Sequence, residues 1–287
     1  MKKYYMELLI VLFAVLMTGC STYSKVEILQ EENYKQIKLN SNEKYKVAEL
    51  RFSSNREEHK NKDTVLDGRL YTEWLEKQYP NVFSTDDNAI PIIVREKMTL
   101  PTGLMSAQQQ QEDFVGVFDA IFSQVTFFFW PASITHEIEF ETDIQLNDEQ
   151  YSKPFVWNTK YYERFSNNIT KALFFSSYDS YGINEYANAI SKSSKLERII
   201  ASKKTSDQQK LEAKDEQFFG FYGIVNTPDV MRRGTAYGII GALSQLSSSQ
   251  KQMVTENKVA RYLVEKAEGK LNDNSQNALP AKVESIE

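Results

Sequence analysis

The chain has 287 residues, of which 41% are hydrophobic and 25% are charged, so it is long enough and apolar enough to bury a globular core. Its formal net charge of −5 argues against nucleic-acid binding, which depends on Lys and Arg side chains that neutralise phosphates. Its single cysteine, Cys20, excludes an intrachain disulfide and a Cys-rich zinc site.

The chain begins with a short apolar segment. Two lysines precede an apolar run from Leu8 to Met17, and the small residues Thr18 and Gly19 follow it. This order is typical of a secretory signal peptide. The run is shorter than the roughly 20 residues that a membrane-spanning helix needs. The sequence therefore predicts an export signal over residues 1–19.

The end of this signal resembles the lipobox of bacterial lipoproteins, because an aliphatic residue and small residues precede a cysteine over Leu16 to Cys20. In that family the cysteine thiol carries a diacylglycerol, the signal is cleaved before it, and the new amino terminus is acylated in many species. The resemblance implies a mature protein that begins at a lipidated Cys20 in the cell membrane or the outer membrane. Ser21 resembles the signal for the outer membrane of a diderm, on its periplasmic face. The alternatives are an ordinary signal with a spare thiol, or a short membrane anchor.

The first part of the mature chain predicts a tether followed by alternating strands and helices. Residues 20–44 are polar and lack a clear period, which is typical of a tether. Residues 45–52 alternate as a strand. Residues 64–80 have helical spacing, with Thr64 as a cap and Pro80 as the stop. Residues 82–97 begin with turn residues and continue as an isoleucine-rich run, which predicts a second strand.

The most apolar mature segment, FVGVFDAIFSQVTFFFWPAS, predicts an amphipathic helix that ends at Pro131. A helix buried against a sheet is the favoured interpretation. The other interpretation is a contact with the membrane or with a partner protein, because Phe and Trp suit the lipid interface. The candidate contact residues are Phe114, Phe118, Phe122, Phe128, Phe129 and Trp130.

The clearest strand in the sequence is ITHEIEFETDIQL, which alternates strictly and is followed by a second alternating run that predicts a hairpin. Its wet face carries Glu137, Glu139, Glu141 and Asp143 in a row. Such a row could bind calcium or a basic partner, but a calcium site usually wraps the ion in a loop. A solvated sheet edge is the favoured interpretation.

From Tyr161 onward the pattern turns helical. A capping-box spacing opens one helix at Ser206, and the next helix opens with Pro228 at its first position. A helix is predicted over residues 228–246. Its glycines at positions 234, 238 and 241 would let its backbone approach a neighbouring element closely, which favours packing of this helix against another part of the structure. A last amphipathic helix over residues 249–271 precedes a polar tail.

Together these patterns predict an α+β fold with a small mixed or antiparallel sheet covered by helices and a helical C-terminal part. The predicted organisation is a tether over residues 20–44, an α+β domain over 45–175, a helical region over 176–271 and a disordered tail over 272–287. The pieces KVAELRF, IPIIVREK, FFFWPAS and EIEFETDIQL resemble a cluster of uncharacterised bacterial lipoproteins, a resemblance that implies no activity.

The sequence contains no common catalytic signature. His59 and His136 have no partner at metal-ligand spacing, and the nucleophile-elbow, dinucleotide-binding and P-loop motifs are absent. We therefore expect no enzyme, no metal and no cofactor. The expected function is a lipid-anchored, non-enzymatic binding or accessory component of the cell envelope with an unidentified protein partner. The alternatives are a lipid carrier or transport auxiliary, or a carboxylate-based hydrolase of envelope polymers.

Overall fold

The structure, a computed structural model, describes residues 20–39, 43–54, 64–99, 132–167, 172–174, 179–181, 195–221 and 228–270. Its strands are β1 (Cys20–Ile28), β2 (Tyr45–Ser54), β3 (Thr64–Asp67), β4 (Ile90–Thr99), β5 (Ala132–Ile144), β6 (Phe155–Asn167) and β7 (Asp179–Tyr181). Its principal helices are α1 (Glu31–Lys35), α2 (Arg69–Gln78), α3 (Asp207–Phe221), α4 (Pro228–Ser244), α5 (Ser248–Glu256) and α6 (Lys258–Ala267). A further helical segment spans residues 195–201.

These strands form one mixed sheet in the order β3-β2-β4-β5-β6-β1-β7. β2 and β4 are parallel, and their connection includes β3 and α2. The remaining neighbours pair antiparallel, including the predicted hairpin of β5 and β6. The α+β class predicted from the sequence is confirmed.

The main core lies on one face of the sheet, which we call the core face. Alternate residues such as Leu50, Val94 and Ile144 point to this face and are fully buried. They pack with apolar side chains of α2, α3 and α4 into a single cluster. The predicted helical C-terminal part therefore shares its core with the sheet.

Helix α4 lies directly on the β5–β6 hairpin. A Cβ atom at Gly234 would overlap the ring of Trp157, and one at Gly241 would overlap the ring of Phe155. Gly238 lies in the same way against Thr142. The predicted close approach at these glycines is confirmed, because any side chain there would push the helix off the hairpin.

The opposite face, which we call the charged face, is partly covered by α6. Val259 and Ala260 of this helix pack against Ala48 and Ile93 of the sheet. Over β5 and β6 the charged face carries polar and charged side chains instead of a second core, as the alternation of β5 predicts.

The carboxylate row of β5 lies on this charged face, but the prediction of a sheet edge is wrong. β5 lies between β4 and β6, so its carboxylates meet cations on both neighbouring strands. The cross-strand ion pairs are Arg95 with Asp143 at 2.6 Å, Lys97 with Glu141 at 3.5 Å and Lys160 with Glu137 at 3.9 Å.

Several predicted boundaries are also wrong. The predicted tether contains β1 and α1, and the start of the predicted helix over residues 64–80 is strand β3, with Gly68 instead of Thr64 at the N-cap. β6 continues to Asn167, beyond the predicted change to helix, because β1 supplies a neighbour for it. The last predicted helix is divided at Asn257, whose side chain caps α6.

Other predictions concern residues outside the described ranges. These are the export signal over residues 1–19, the aromatic segment from Phe114 to Trp130, His59 and the tail over residues 272–287. Two helix starts are confirmed: Ser206 and Gln209 bond each other as in a capping box, and α4 begins at Pro228.

Candidate functional site

One end of the sheet extends well beyond the rest. The last pair between β4 and β5 joins Thr99 to Glu139, yet β5 pairs with β6 as far as Ala132. The seven residues from Ala132 to Ile138 correspond to about 23 Å of strand. We call this extension the stalk: β1, β7, and the parts of β5 and β6 over residues 132–138 and 159–167.

Cys20, the candidate lipidation residue, lies at the end of the stalk that is farthest from the wide part of the sheet, which we call its free end. It pairs with Asn167, and the whole of β1 pairs with the part of β6 that belongs to the stalk. The residue on which the sequence analysis concentrates is thus the first residue of a paired strand. No flexible stretch separates it from the fold.

The chain ends that flank the predicted aromatic segment point to the same side of the sheet. β4 runs toward the stalk and ends at Thr99, and β5 begins at Ala132 near the free end. Since β2, β4 and β6 run in one direction and β5 and β1 in the other, the end of β4 at Thr99 and the start of β5 at Ala132 both point to the Cys20 side.

The stalk is held to the body of the protein through α1. The Tyr237 hydroxyl of α4 donates to the Glu31 carboxylate of α1 at 3.0 Å, and the Arg233 guanidinium lies 3.7 Å from the same oxygen. The Tyr34 ring packs edge-on against Phe155. Because α1 follows β1 directly, these contacts fix the end of the first strand to the core.

A second group of polar side chains is buried beneath α4. Glu96 of β4 is only 1% exposed, and its two oxygens accept from the Thr235 hydroxyl at 3.1 Å and the Thr142 hydroxyl at 3.3 Å. Trp157 Nε1 donates to the Thr142 oxygen at 3.1 Å, which leaves the Thr142 hydroxyl free to donate to Glu96. The network therefore connects β4, β5, β6 and α4.

Burial raises the pKa of the Glu96 carboxyl to about 8, although the hydroxyl groups of Thr235 and Thr142 act in the opposite direction. The carboxyl is therefore mainly protonated at neutral pH. A pKa near neutrality suits a general acid or base. However, Glu96 is only 1% exposed and lies among its hydrogen-bonding partners, so its position suits a role in packing.

A buried ion pair joins α3 to α4. Arg232 contacts Asp215 at 2.6 Å, and its guanidinium lies over the ring of Phe219. Burial raises the pKa of Asp215, and the charge of Arg232 lowers it in part. The Tyr71 hydroxyl donates to the Arg232 carbonyl at 2.8 Å, which ties α2 to the same point.

The two best-formed depressions within the described ranges are small. One of about 280 Å³ is lined by the turn at residues 84–90 with Glu43 and Lys44, and one of about 150 Å³ lies between α2, α6 and the start of β2. Both are below the roughly 300–1,000 Å³ of a typical small-molecule site. Neither has the apolar volume that the lipid-carrier alternative requires.

The last two features of the described residues concern metal-binding groups and membrane-spanning helices. Within the described part of the chain, no group of three or more His, Cys, Asp or Glu side chains is placed to hold a metal ion. In the same ranges, no helix combines the length and apolar character needed to cross a membrane. Comparison with protein-family models, curated proteins and solved structures finds no match to this chain.

The sequence analysis does not single out Glu96, although the sequence carries a signal for it. Ile92, Val94, Glu96 and Met98 occupy alternate positions of one strand, so the carboxyl is in phase with three apolar residues. A charged residue in phase with a core stripe predicts either a buried network or a bulge. The distant partner Thr235 has no such local signal.

Proposed function

We propose that this protein is a lipid-anchored lipoprotein of the bacterial cell envelope that acts as a non-enzymatic binding or accessory component. The observation that carries the proposal is the lipobox-like sequence from Leu16 to Cys20. The position of Cys20 supports it, because Cys20 is the first residue of β1 and pairs with Asn167 at the end of the stalk, away from the main core.

The two buried carboxyl groups described above lend no support to the hydrolase alternative. The carboxyl groups of Glu96 and Asp215 are bonded to neighbouring elements inside the fold. A carboxylate-based hydrolase needs two carboxyl groups that face a common substrate. These two groups instead join α4 to the sheet and to α3.

The first experiment tests whether Cys20 carries a lipid. The full chain is expressed in a diderm bacterium, extracted from membranes and weighed intact, with and without an inhibitor of the lipoprotein signal peptidase, beside Cys20→Ala. We expect a wild-type product that begins at Cys20 and carries acyl mass, and no acyl mass in the variant. A wild-type product without acyl mass would refute the proposal.

We further propose that Phe114, Phe118, Phe122, Phe128, Phe129 and Trp130 supply the contact with the membrane or with a partner. Support comes from the two flanking strand ends, Thr99 and Ala132, which lie on the Cys20 side of the sheet. Aromatic side chains suit the lipid interface.

Vesicle co-sedimentation separates lipid contact from protein contact. In a Cys20→Ala background, replacing Phe128, Phe129 and Trp130 by Ser should reduce residual binding to anionic vesicles if these residues contact lipid. Replacing the exposed apolar residues Val65 and Val156, which lie outside the stalk, by Ser serves as the control. Unchanged vesicle binding would exclude the lipid contact and leave the protein contact.

A further inference from the structure

We infer that the stalk stands upright on a lipid surface, with its Cys20 end at the headgroups, and holds the wide part of the sheet at a fixed height above them. The inference rests on the proposed lipidation of Cys20. It adds an orientation and a distance, and so identifies which end of the protein an envelope partner can reach.

Cys20 belongs to the sheet and is not separated from it by a flexible tether. A flexible tether over residues 20–44 would allow the body to take any orientation and to move tens of Å from the bilayer, since an extended chain reaches about 3.4 Å per residue. In the structure Cys20 is itself paired with Asn167, and β1 stays paired with β6 through Ile28. A lipid on Cys20 is therefore attached to the sheet itself.

The direction of the stalk follows from its strands. β1 and β5 begin at the free end and β6 ends there, so the strands run toward and away from the lipidated residue. The wide part of the sheet begins seven residues away along β5, at the level where Thr99 pairs with Glu139. That separation corresponds to about 23 Å.

The connection between stalk and body is rigid. β5 and β6 are continuous strands that belong to both parts. α1 is bonded to α4 through Glu31, Tyr237 and Arg233, so β1 cannot swing independently of the core. The height of the body is thus set by covalently continuous, hydrogen-bonded strands.

The upright orientation determines how far from the membrane a partner protein can bind. β6 spans 13 residues, or about 43 Å, from Asn167 near the headgroups to Phe155 at the opposite end. The turn between β5 and β6 therefore faces away from the membrane. A partner that docks at that turn must present its own surface roughly 40 Å from the lipid, whereas a partner at the stalk must lie in or on the same membrane.

The test measures the distance of two positions from the lipid surface. With Cys20 acylated, Thr135→Cys in the stalk and Asp148→Cys in the opposite turn each supply a unique thiol, and both native side chains are exposed. Each acylated variant is labelled with a fluorescent donor and reconstituted into vesicles that contain an acceptor on the lipid headgroup. The intact mass of each preparation is checked for the acyl group.

We expect energy transfer at least about twofold stronger from position 135 than from position 148, since roughly 30 Å of β5 separates the two levels. A ten-residue Gly/Ser insertion between Cys20 and Ser21 should make the two efficiencies converge. Equal transfer from both positions of the acylated, uninserted protein would overturn the upright orientation alone. Preparations without acyl mass would overturn the proposed function and this inference together.

Discussion

The buried carboxyl of Glu96 makes the stability of this protein depend on pH. Folding raises its pKa from 4.5 to about 8 because the group is fully buried without a cation partner. The folded protein therefore holds a proton that the unfolded chain releases, and this group's contribution to stability is fully present below pH 4.5. It is lost progressively as the pH rises to about 8, at roughly 1.4 kcal/mol per pH unit, or about 5 kcal/mol in all.

The perturbation is Glu96→Gln, which keeps the shape and hydrogen-bonding capacity of the side chain but removes the titration. Urea unfolding of the soluble chain without residues 1–19, followed by tryptophan fluorescence at pH 5, 6.5 and 8, gives the free energy of unfolding. We expect the wild type to lose several kcal/mol over this interval and the variant to lose much less. Asp143 and Asp215, whose pKa values burial also raises, leave a smaller slope of the same sign.

The matched control is Glu139→Gln, which removes an exposed carboxylate on the charged face of β5. We expect this variant to retain the pH dependence of the wild type. If Glu96→Gln retained it too, the slope would arise elsewhere. The assignment of a buried, mainly protonated Glu96 would then be refuted.

Three further substitutions test the packing of the C-terminal helices, each by urea unfolding at pH 7. Gly234→Ala should cost about 1–3 kcal/mol, because its Cβ overlaps the Trp157 ring, despite the gain of about 1 kcal/mol in helix propensity. Arg232→Met should cost about 3 kcal/mol, because it leaves the Asp215 carboxylate buried and unpaired. Asn257→Ala should cost about 1–2 kcal/mol, because it removes the side-chain cap of α6.

Each of these predictions has a control that separates the stated cause from general damage. Ser244→Ala places the same side chain at an exposed position of α4 and should change stability by less than about 0.5 kcal/mol. Adding Asp215→Leu to Arg232→Met should recover most of the loss, since no charge then remains unpaired. Asn257→Ser loses the bond from the Asn257 amide to the Gln145 carbonyl, as Ala does, but keeps a side-chain oxygen for the cap, so a loss equal to that of Asn257→Ala would contradict the capping role.

The sequence predicts the elements whose signals are local. The strict alternation of β5, the capping pair of Ser206 and Gln209 and the glycines of α4 are all visible within a few residues, and the structure confirms them. β1 has no comparable signal. It is a polar strand whose pairing partner in β6 lies some 140 residues away, so nothing in residues 20–28 alone distinguishes it from a tether.

The candidate site also combines features that have a local sequence signal with features that depend on the whole fold. Cys20 is recognisable because the lipobox is a contiguous motif, whereas the pairing of Cys20 with Asn167 depends on the whole topology. Glu96 is visible as a charged residue in phase with a core stripe. Its bond to Thr235 brings together residues that lie 139 positions apart, and only the packing of α4 on the sheet creates that contact.

Helix α4 adds a second connection between the stalk and the body, beside the continuous strands β5 and β6. Thr235 bonds Glu96 beneath the helix, and Tyr237 bonds Glu31 of α1, so a single turn of α4 contacts both the centre of the sheet and the segment that follows β1. The absence of a side chain at Gly238 lets the helix approach closely enough for these bonds to form together. A change that lifts α4 from the hairpin must therefore break the Glu96 network and also strain the contact that holds β1. Both contacts are made by the same helix. A substitution that weakens the packing beneath α4 should therefore also weaken the bond to Glu31 and make β1 less rigid.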